Sequence, residues 1–172
     1  ELKNENNVFD VDVTKLIINV NNSGITGKQL GDILRYKYNI EVEMDSLKYV
    51  LGITTICDDY KELERLAEAL KEIDKSLEEK QNENISVELL KNKRMYSIYE
   101  TDLKEKNTVN LFDSKDCISG EFVFLYPPGI PLVVPGEVIT EELLEQIKVY
   151  LEANMNISGL KDNSNKTIEV VK

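Results

Sequence analysis

Apolar residues recur at spacings of three and four in two stretches of the first half of the chain, and this periodicity predicts two amphipathic helices. The shorter helix starts at Thr26, which together with Gln29 has the form of a capping box. Either Asp58 or Asp59 can cap the start of the longer helix. The apolar residues of the two stretches are Leu30, Ile33, Leu34 and Tyr38, and then Leu63, Leu66, Ala67, Leu70, Ile73 and Leu77.

Three further stretches of the first half have the pattern of strands. Thr14–Val20 is rich in β-branched residues, and Ile40–Met44 alternates apolar with acidic residues, as a strand with one wet face does. Leu47–Thr55 is a second apolar run, and Asp45-Ser46 before it predicts a hairpin. Residues 11–80 therefore have the predicted order β-α-β-β-α, which is a small α+β domain.

The second half gives weaker signals and is predicted to form a separate domain over residues 85–172. Glu78–Asn84 has no apolar residue and is interpreted as a linker, and residues 85–106 are interpreted as helical or irregular. Phe122–Leu125 and Thr167–Val171 are predicted strands. Thr140 is the predicted cap of a helix with one apolar face, formed by Leu143, Leu144, Ile147, Tyr150 and Leu151.

Composition excludes several classes of function. The formal net charge is -11, so a nucleic acid would be repelled, whereas a cationic small molecule would be attracted. Histidine is absent, which excludes Ser-His-Asp and Cys-His catalysis and any histidine-based zinc site. Cys57 and Cys117 stand alone, without a metal or redox motif, and no apolar run is long enough to span a membrane. We therefore expect no metal, no membrane partner and a reducing, cytoplasmic location.

All four prolines lie in one short segment, Tyr126-Pro-Pro-Gly-Ile-Pro-Leu-Val-Val-Pro-Gly-Glu137. Each proline fixes its own φ and restricts the residue before it, so the segment is stiff. Such a loop can hold a phenol ring and a carboxylate at fixed positions, as a binding site requires. The alternative interpretation is a rigid turn between two strands.

This segment, followed by Ile139-Thr140, resembles the signature of the C-terminal region of the Orn/Lys/Arg decarboxylase family. The small domain of that family is similar to Tyr38–Met44, to Tyr49-Val50-Leu51 and to the helix ending in Leu66–Leu70. The resemblance covers residues 12–75 and 118–160, while residues 85–117 match only weakly.

The resemblance implies an aspartate-aminotransferase-like fold and a pyridoxal-phosphate-dependent decarboxylase of arginine, lysine or ornithine, as in polyamine biosynthesis. In such enzymes a large domain binds the cofactor through a lysine, usually in a Ser-x-His-Lys setting. Because this chain has no histidine, the cofactor domain is expected to precede Glu1 in a longer parent protein. The chain alone is then expected to be inactive, and the parent to be a homo-oligomer assembled mainly through the missing domain.

Three residues are the candidates for the substrate site. A carboxylate at Glu43 can pair with a guanidinium or an ammonium group, and the resemblance implies that it faces the distal cation of the substrate, with Glu41 as a solvated neighbour. The resemblance places Tyr126 in the substrate pocket, where its ring can lie against the substrate and its hydroxyl can donate a hydrogen bond. Glu137 is the weaker candidate, because it either lines the acidic approach to the pocket or caps the N-terminal region of the last helix.

Two other functions remain open at this point. The first is the small domain of a different enzyme of the same fold, such as an aminotransferase, which needs an arginine placed to hold the substrate α-carboxylate. Arg35, Arg65 and Arg94 are the three arginines, and none lies in a recognisable carboxylate-binding motif. The second is an interaction or assembly module without a catalytic parent, and the genomic sequence upstream of Glu1 would distinguish it.

Overall fold

A computed structural model of the chain describes residues 8–77 and 90–172. Contacts divide the chain into two compact units, Glu1–Asn84 and Ile85–Lys172. Each unit combines helices with antiparallel strands, so the predicted α+β fold class is confirmed. The predicted linker Glu78–Asn84 lies outside the described residues.

The first unit has the predicted order β-α-β-β-α. Its elements are β1 (Lys15–Asn19), α1 (Gly27–Tyr38), β2 (Met44–Asp45), β3 (Tyr49–Ile53) and α2 (Tyr60–Ser76). The strands form one antiparallel sheet in the order β1-β3-β2, and β2 and β3 make the predicted hairpin.

Only Met44 of the predicted strand Ile40–Met44 lies in a strand. The chain leaves α1 through Asn39, whose φ is 53°, and then has no regular secondary structure until the amide of Glu43 donates to the carbonyl of Leu51 at 2.8 Å. The alternation of apolar and acidic residues has another cause. Ile40 and Val42 pack against the core, whereas Glu41 and Glu43 are exposed. The prediction that this segment is a strand is therefore wrong.

The core of the first unit lies between one face of the sheet and the two helices. Its buried members are Val20, Leu30, Leu34, Val50, Ala69 and Ile73. Both helices begin with the capping boxes that the sequence allows, Thr26 with Gln29 and Asp59 with Glu62.

The N-terminus of α1 contacts the backbone of the β2–β3 hairpin. The amide of Gly27 donates to the carbonyl of Leu47 at 3.1 Å, and the amide of Lys28 donates to the carbonyl of Ser46 at 2.9 Å. A Cβ atom on Gly27 would lie 2.2 Å from the carbonyl oxygen of Tyr49, which is a severe overlap. Only glycine allows this approach.

Residues 90–172 of the second unit form two small antiparallel sheets, β4-β8 and β6-β5-β7, and one long helix. Its elements are α3 (Ile98–Asp102), β4 (Lys106–Asn110), β5 (Val123–Leu125), β6 (Ile130–Val133), α4 (Glu141–Glu152), β7 (Ile157–Ser158) and β8 (Thr167–Val171). The core residues that are almost fully buried are Leu111, Val123, Val133, Ile139, Leu143, Ile147 and Ile168.

The predicted elements β5, α4 and β8 are confirmed, and Thr140 caps α4 through the amide of Leu143. β4 was not predicted, because the sequence Lys-Asn-Thr-Val-Asn has a single apolar residue and gives no alternation. Only its first residue, Lys106, fell in the stretch interpreted as helical or irregular. β6 lies inside the proline-rich segment. It tolerates Pro131 because it is an edge strand of its sheet.

The turn before β8 is organised by the carboxylate of Asp162. This carboxylate accepts hydrogen bonds of 2.6 to 3.1 Å from the amides of Ser164, Lys166 and Thr167 and from the hydroxyls of Ser164 and Thr167. The Ser164 hydroxyl, followed by the backbone amides, holds the pKa of Asp162 well below its usual range.

Replacing Gly27 with alanine is expected to destabilise the first unit, because the new methyl group overlaps backbone carbonyls that cannot move independently. Overpacking of this kind costs about 1–3 kcal/mol, which thermal or denaturant unfolding would detect. Gly52→Ala is the control, since a Cβ atom there lies 3.8 Å from its nearest neighbour, Leu16. Equal stability of the two variants would contradict the close approach.

Asp162→Asn is expected to lower the midpoint of thermal unfolding at neutral pH, because an amide cannot accept the same set of donors. The folded-state pKa of Asp162 lies below its unfolded value of about 3.9. The charged carboxylate therefore stabilises the fold above that value, and this stabilisation is lost as the pH falls through the folded pKa. The difference between parent and variant should shrink below about pH 4. The exposed Asp113→Asn is the control, and a pH-independent difference would contradict the assignment.

Candidate functional site

The proline-rich segment forms the turn between β5 and β6, the strand β6 and the chain that follows it. The peptide bonds Tyr126–Pro127 and Pro127–Pro128 are cis, and Gly129 closes the turn with a φ of 100°. The amide of Gly129 donates to the carbonyl of Leu125 at 2.9 Å. The alternative interpretation, a rigid turn between two strands, therefore describes one part of this segment.

Tyr126 sits at the start of this turn and presents its side chain to solvent. Its amide donates to the carbonyl of Asn156 at 2.9 Å, so its backbone is fixed next to β7. The residue is 54% exposed. The arrangement leaves the phenol ring available for contact with a ligand while the main chain is held.

Glu137 follows β6 and uses its carboxylate within its own loop. One oxygen, Oε2, accepts from the amide of Val134 at 3.2 Å and from Nδ2 of Asn92 at 3.4 Å. Oε1 lies 3.7 Å from the exposed guanidinium of Arg94. The interpretation of Glu137 as a cap for the last helix is wrong, because Thr140 caps that helix and the Glu137 carboxylate closes the loop before it.

The loop at Glu137 is also held by the chain around residues 92–96. The side chain of Asn92 donates to the carbonyl of Leu132 at 2.6 Å, and the amides of Met95 and Tyr96 both donate to the carbonyl of Gly136 at 2.8 and 3.2 Å. These hydrogen bonds attach β6 and the residues after it to residues 92–96, for which the sequence gives no clear prediction of structure. Asn92 was missed because a single asparagine in a mixed stretch carries no periodic signal.

Glu43 and its neighbour Glu41 differ in their partners. Glu41 accepts hydrogen bonds from Nε and Nη2 of Arg35, and these hydrogen bonds lower the pKa of Glu41 and raise that of Arg35. Glu43 is exposed, and within residues 8–77 and 90–172 no cation forms an ion pair with its carboxylate. Of these two carboxylates, that of Glu41 is therefore paired with Arg35, whereas that of Glu43 remains available.

Tyr126 and Glu137 lie in the second unit, on either side of β6, and Glu43 lies in the first unit. The sequence also missed Glu121, a buried residue whose two oxygens accept from the amides of Lys161 at 2.9 Å and Glu169 at 2.7 Å. Glu121 borders a cavity of about 680 Å³ in the second unit. Because its oxygens already accept two backbone amides, we assign it a structural role.

No cluster of three or more histidine, cysteine or acidic side chains that could hold a metal ion occurs among the described residues. A helix long and apolar enough to cross a membrane is likewise absent from residues 8–77 and 90–172.

Comparison with known proteins connects both units to one group of enzymes. The family model for the C-terminal domain of Orn/Lys/Arg decarboxylases matches residues 90–163. The arginine decarboxylase of Bacillus subtilis strain 168 is 37% identical over 167 residues, or 95% of this chain. Residues 90–163 carry the C-terminal domain of the Orn/Lys/Arg decarboxylase family. The resemblance seen in the proline-rich segment is thereby confirmed.

Other decarboxylases match the same region of the family. The arginine decarboxylase of Bacillus anthracis is 33% identical over 167 residues, again 95% of this chain. The fold is shared with the constitutive lysine decarboxylase of E. coli, with a TM-score of 0.72 and 17% identity, and with the lysine decarboxylase of Francisella novicida, with a TM-score of 0.70 and 19% identity. These structures cover 94% of this chain, and the match covers 32% and 31% of theirs.

The chain spans about a third of the length of these relatives, 34% for each of the two Bacillus arginine decarboxylases. The matched portion includes the first unit, because it covers 95% of the chain, whereas the family model alone starts at residue 90. Both units therefore correspond to one continuous region of the decarboxylases.

Glu137→Gln in this family domain is expected to loosen the loop after β6, because the charged acceptor for the Val134 amide becomes a neutral one. A net hydrogen bond is worth about 0.5–1.5 kcal/mol, and hydrogen exchange at the Val134 amide should be faster by a corresponding factor. The same change at Glu145, an exposed residue of α4, removes the same charge and is the control. Unchanged exchange at Val134 would show that the carboxylate does not hold this loop.

Proposed function

We propose that the chain is the C-terminal portion of a pyridoxal-phosphate-dependent decarboxylase of a basic amino acid, with arginine as the first candidate and lysine or ornithine next. The observation that carries the proposal is the 37% identity to an arginine decarboxylase over 95% of this chain. The order of preference follows the names of the relatives, since the two Bacillus proteins are both arginine decarboxylases.

Glu43 is the proposed recognition group for the distal cation of the substrate. Its carboxylate is exposed, and the described part of the chain offers it no ion-pair partner, in contrast to Glu41. A carboxylate can accept two parallel hydrogen bonds from a guanidinium, which favours arginine, or one charge-assisted bond from an ammonium group.

Tyr126 is the proposed second contact with the substrate. Its backbone is fixed by hydrogen bonding to Asn156, and its exposed ring can pack against the alkyl chain or the cation. Glu137 contributes less directly in this proposal. It holds the loop after β6 in place through Val134 and adds negative charge near the approach to the site.

The cofactor of the proposed parent is held outside this chain. The sequence has no histidine, so the Ser-x-His-Lys setting expected around the cofactor lysine does not occur in it. Pyridoxal phosphate, when bound in the parent, supplies the electron sink for loss of the α-carboxylate as carbon dioxide. The residues of this chain bind and orient the substrate, and the chain alone is expected to be inactive.

The partners implied by the proposal are the basic amino acid, the remaining part of the parent chain and a further copy of the parent. A net charge of -11 favours a cationic substrate through long-range attraction. Both cysteines are free thiols, which suits a reducing, cytoplasmic compartment.

In the full-length parent, Glu43→Gln is expected to lower the specificity constant for the basic substrate about ten- to a hundredfold. Glutamine keeps the shape of the side chain but removes the charge, and a hydrogen bond to a charged group is worth about 1.5–3 kcal/mol. Tyr126→Phe should cost less, because the ring remains. The measurement is steady-state kinetics of both variants with arginine, lysine and ornithine, together with a titration of the cofactor.

Glu41→Gln is the matched control, since it removes a carboxylate two residues away that already pairs with Arg35. We expect this control to retain the specificity constant of the parent, and all variants to retain cofactor affinity. If Glu43→Gln keeps the parent's specificity constant on all three amino acids, the assignment of Glu43 fails. If the unmodified parent decarboxylates none of them, the proposed function itself fails.

A further inference from the structure

The β2–β3 hairpin packs one buried carboxylate, that of Asp45, against the first two turns of α1. Asp45 is 8% exposed, which is unusual for an aspartate. A Cβ atom on Gly31 would lie 3.0 Å from Oδ2 of Asp45, so the carboxylate lies directly over the backbone of the helix. On β3, the residue paired with Asp45 is Val50, which is apolar and fully buried. Such surroundings disfavour the charged form of a carboxylate unless cations and hydrogen bonds compensate.

The compensation available to this carboxylate comes mainly from one shared lysine. Nζ of Lys28 lies 4.0 Å from Oδ2 of Asp45 and donates at closer range to Oδ1 of Asp32. Arg35 of α1 also acts on Asp45, but its guanidinium is hydrogen-bonded to Glu41. Apart from its own backbone amide, no group in the described part of the chain donates a hydrogen bond to the Asp45 carboxylate. One lysine therefore lies between two carboxylates, and the buried one has the weaker contact.

The charges around Asp45 do not cancel the cost of burying it. Burial, the largest influence, raises the pKa of Asp45. Lys28 and Arg35 lower this pKa, while the negative charge of Asp32 raises it further. The folded state therefore holds a proton on Asp45 more tightly than the unfolded chain, in which an aspartate has a pKa of about 3.9. By linkage, the stability that this proton gives is fully present below that pH and is lost as the pH rises through the folded-state pKa.

We propose that Lys28, Asp32 and Asp45 form a proton-sensitive contact between α1 and the β2–β3 hairpin. When Asp45 is protonated, Lys28 pairs with Asp32 alone and the hairpin packs more tightly on the helix. When Asp45 is charged, two carboxylates compete for one cation and the contact loosens. The backbone hydrogen bonds from the amides of Gly27 and Lys28 to the carbonyls of the hairpin cross the same contact, so the protection of these amides reports on it.

The contact lies next to one residue of the candidate site. Glu43 precedes Asp45 by two residues, and its amide donates to the carbonyl of Leu51 in the same hairpin. A hairpin that moves on α1 takes the main chain of Glu43 with it, so proton uptake at Asp45 restrains the segment that carries this carboxylate. The contact belongs to the fold of the first unit, and it holds whichever amino acid the parent uses as substrate.

Asp45→Asn tests the contact, because asparagine keeps the shape of the side chain and removes its charge. In the 172-residue chain, thermal unfolding of the first unit is followed through the NMR amide signals of α1. We expect the variant to raise the unfolding midpoint by a few degrees at neutral pH, and the difference to disappear below about pH 4. Glu68→Gln is the matched control, since it removes one negative charge from an exposed position of α2 in the same unit, and it should change the midpoint less.

Two further measurements address the contact directly. The side-chain carboxyl NMR signal of Asp45 is expected to titrate above about pH 3.9 in the unmodified chain. At neutral pH, hydrogen exchange at the amides of Gly27 and Lys28 should be several-fold slower in Asp45→Asn than in the unmodified chain. Exchange at the amide of Leu144, which donates to the carbonyl of Thr140 at the start of α4, should be unchanged.

A titration midpoint of Asp45 at or below about pH 3.9 would overturn the proposal, because the fold would then favour the charged form. A lower unfolding midpoint of Asp45→Asn at neutral pH would also overturn it. So would an effect that persists unchanged below about pH 4, since the amide would then act otherwise than through loss of charge. Lys28→Gln is the second variant, in case Asp45→Asn does not fold. Removal of the cation should raise the titration midpoint of Asp45, and an unchanged midpoint would contradict the shared contact.

Discussion

The backbone crossing at Gly136 is the constraint on which the second unit's candidate segment depends. Its carbonyl accepts the amides of Met95 and Tyr96, and its own amide donates to the carbonyl of Ser119 at 2.8 Å. A Cβ atom on Gly136 would lie 2.2 Å from the carbonyl oxygen of Tyr96, and its φ is 92°. Glycine is therefore required twice at this position, once for the close contact and once for the backbone angle. The crossing fixes the chain after β6 from both sides, and the Glu137 carboxylate adds a third attachment.

Three helix caps were predicted from the sequence. Thr26, Asp59 and Thr140 act as helix caps because a side-chain oxygen just before an apolar period satisfies an otherwise unpaired amide. The prediction of a strand at Ile40–Met44 was wrong. Alternation shows which side chains are buried, but it does not show whether a partner strand is present. Asn92 and Glu121 were missed because their roles depend on chain segments about 40 residues away, Leu132 for Asn92 and Lys161 for Glu121.

The two glutamates Glu41 and Glu43 show what the sequence could predict of the candidate site. The alternation of apolar and acidic residues gave no reason to prefer either glutamate as the substrate-binding residue. Only the resemblance to the family favoured Glu43. The structure separates their partners, because Arg35 on α1 is within hydrogen-bonding distance of Glu41, while Glu43 has no ion-pair partner in the described chain. An excess of carboxylates over cations leaves some of them unpaired, and the position of a few arginines and lysines decides which.

The start of α1 has a consequence for the binding of phosphate groups. A helix N-terminus attracts anions because its first amides lack partners within the helix. In α1 the amide of Thr26 donates to Gln29 at 2.8 Å, that of Gln29 donates to Thr26 at 3.1 Å, and those of Gly27 and Lys28 donate to hairpin carbonyls. All four donors are thus occupied by the protein itself, so this terminus has no amide left to offer an anionic ligand.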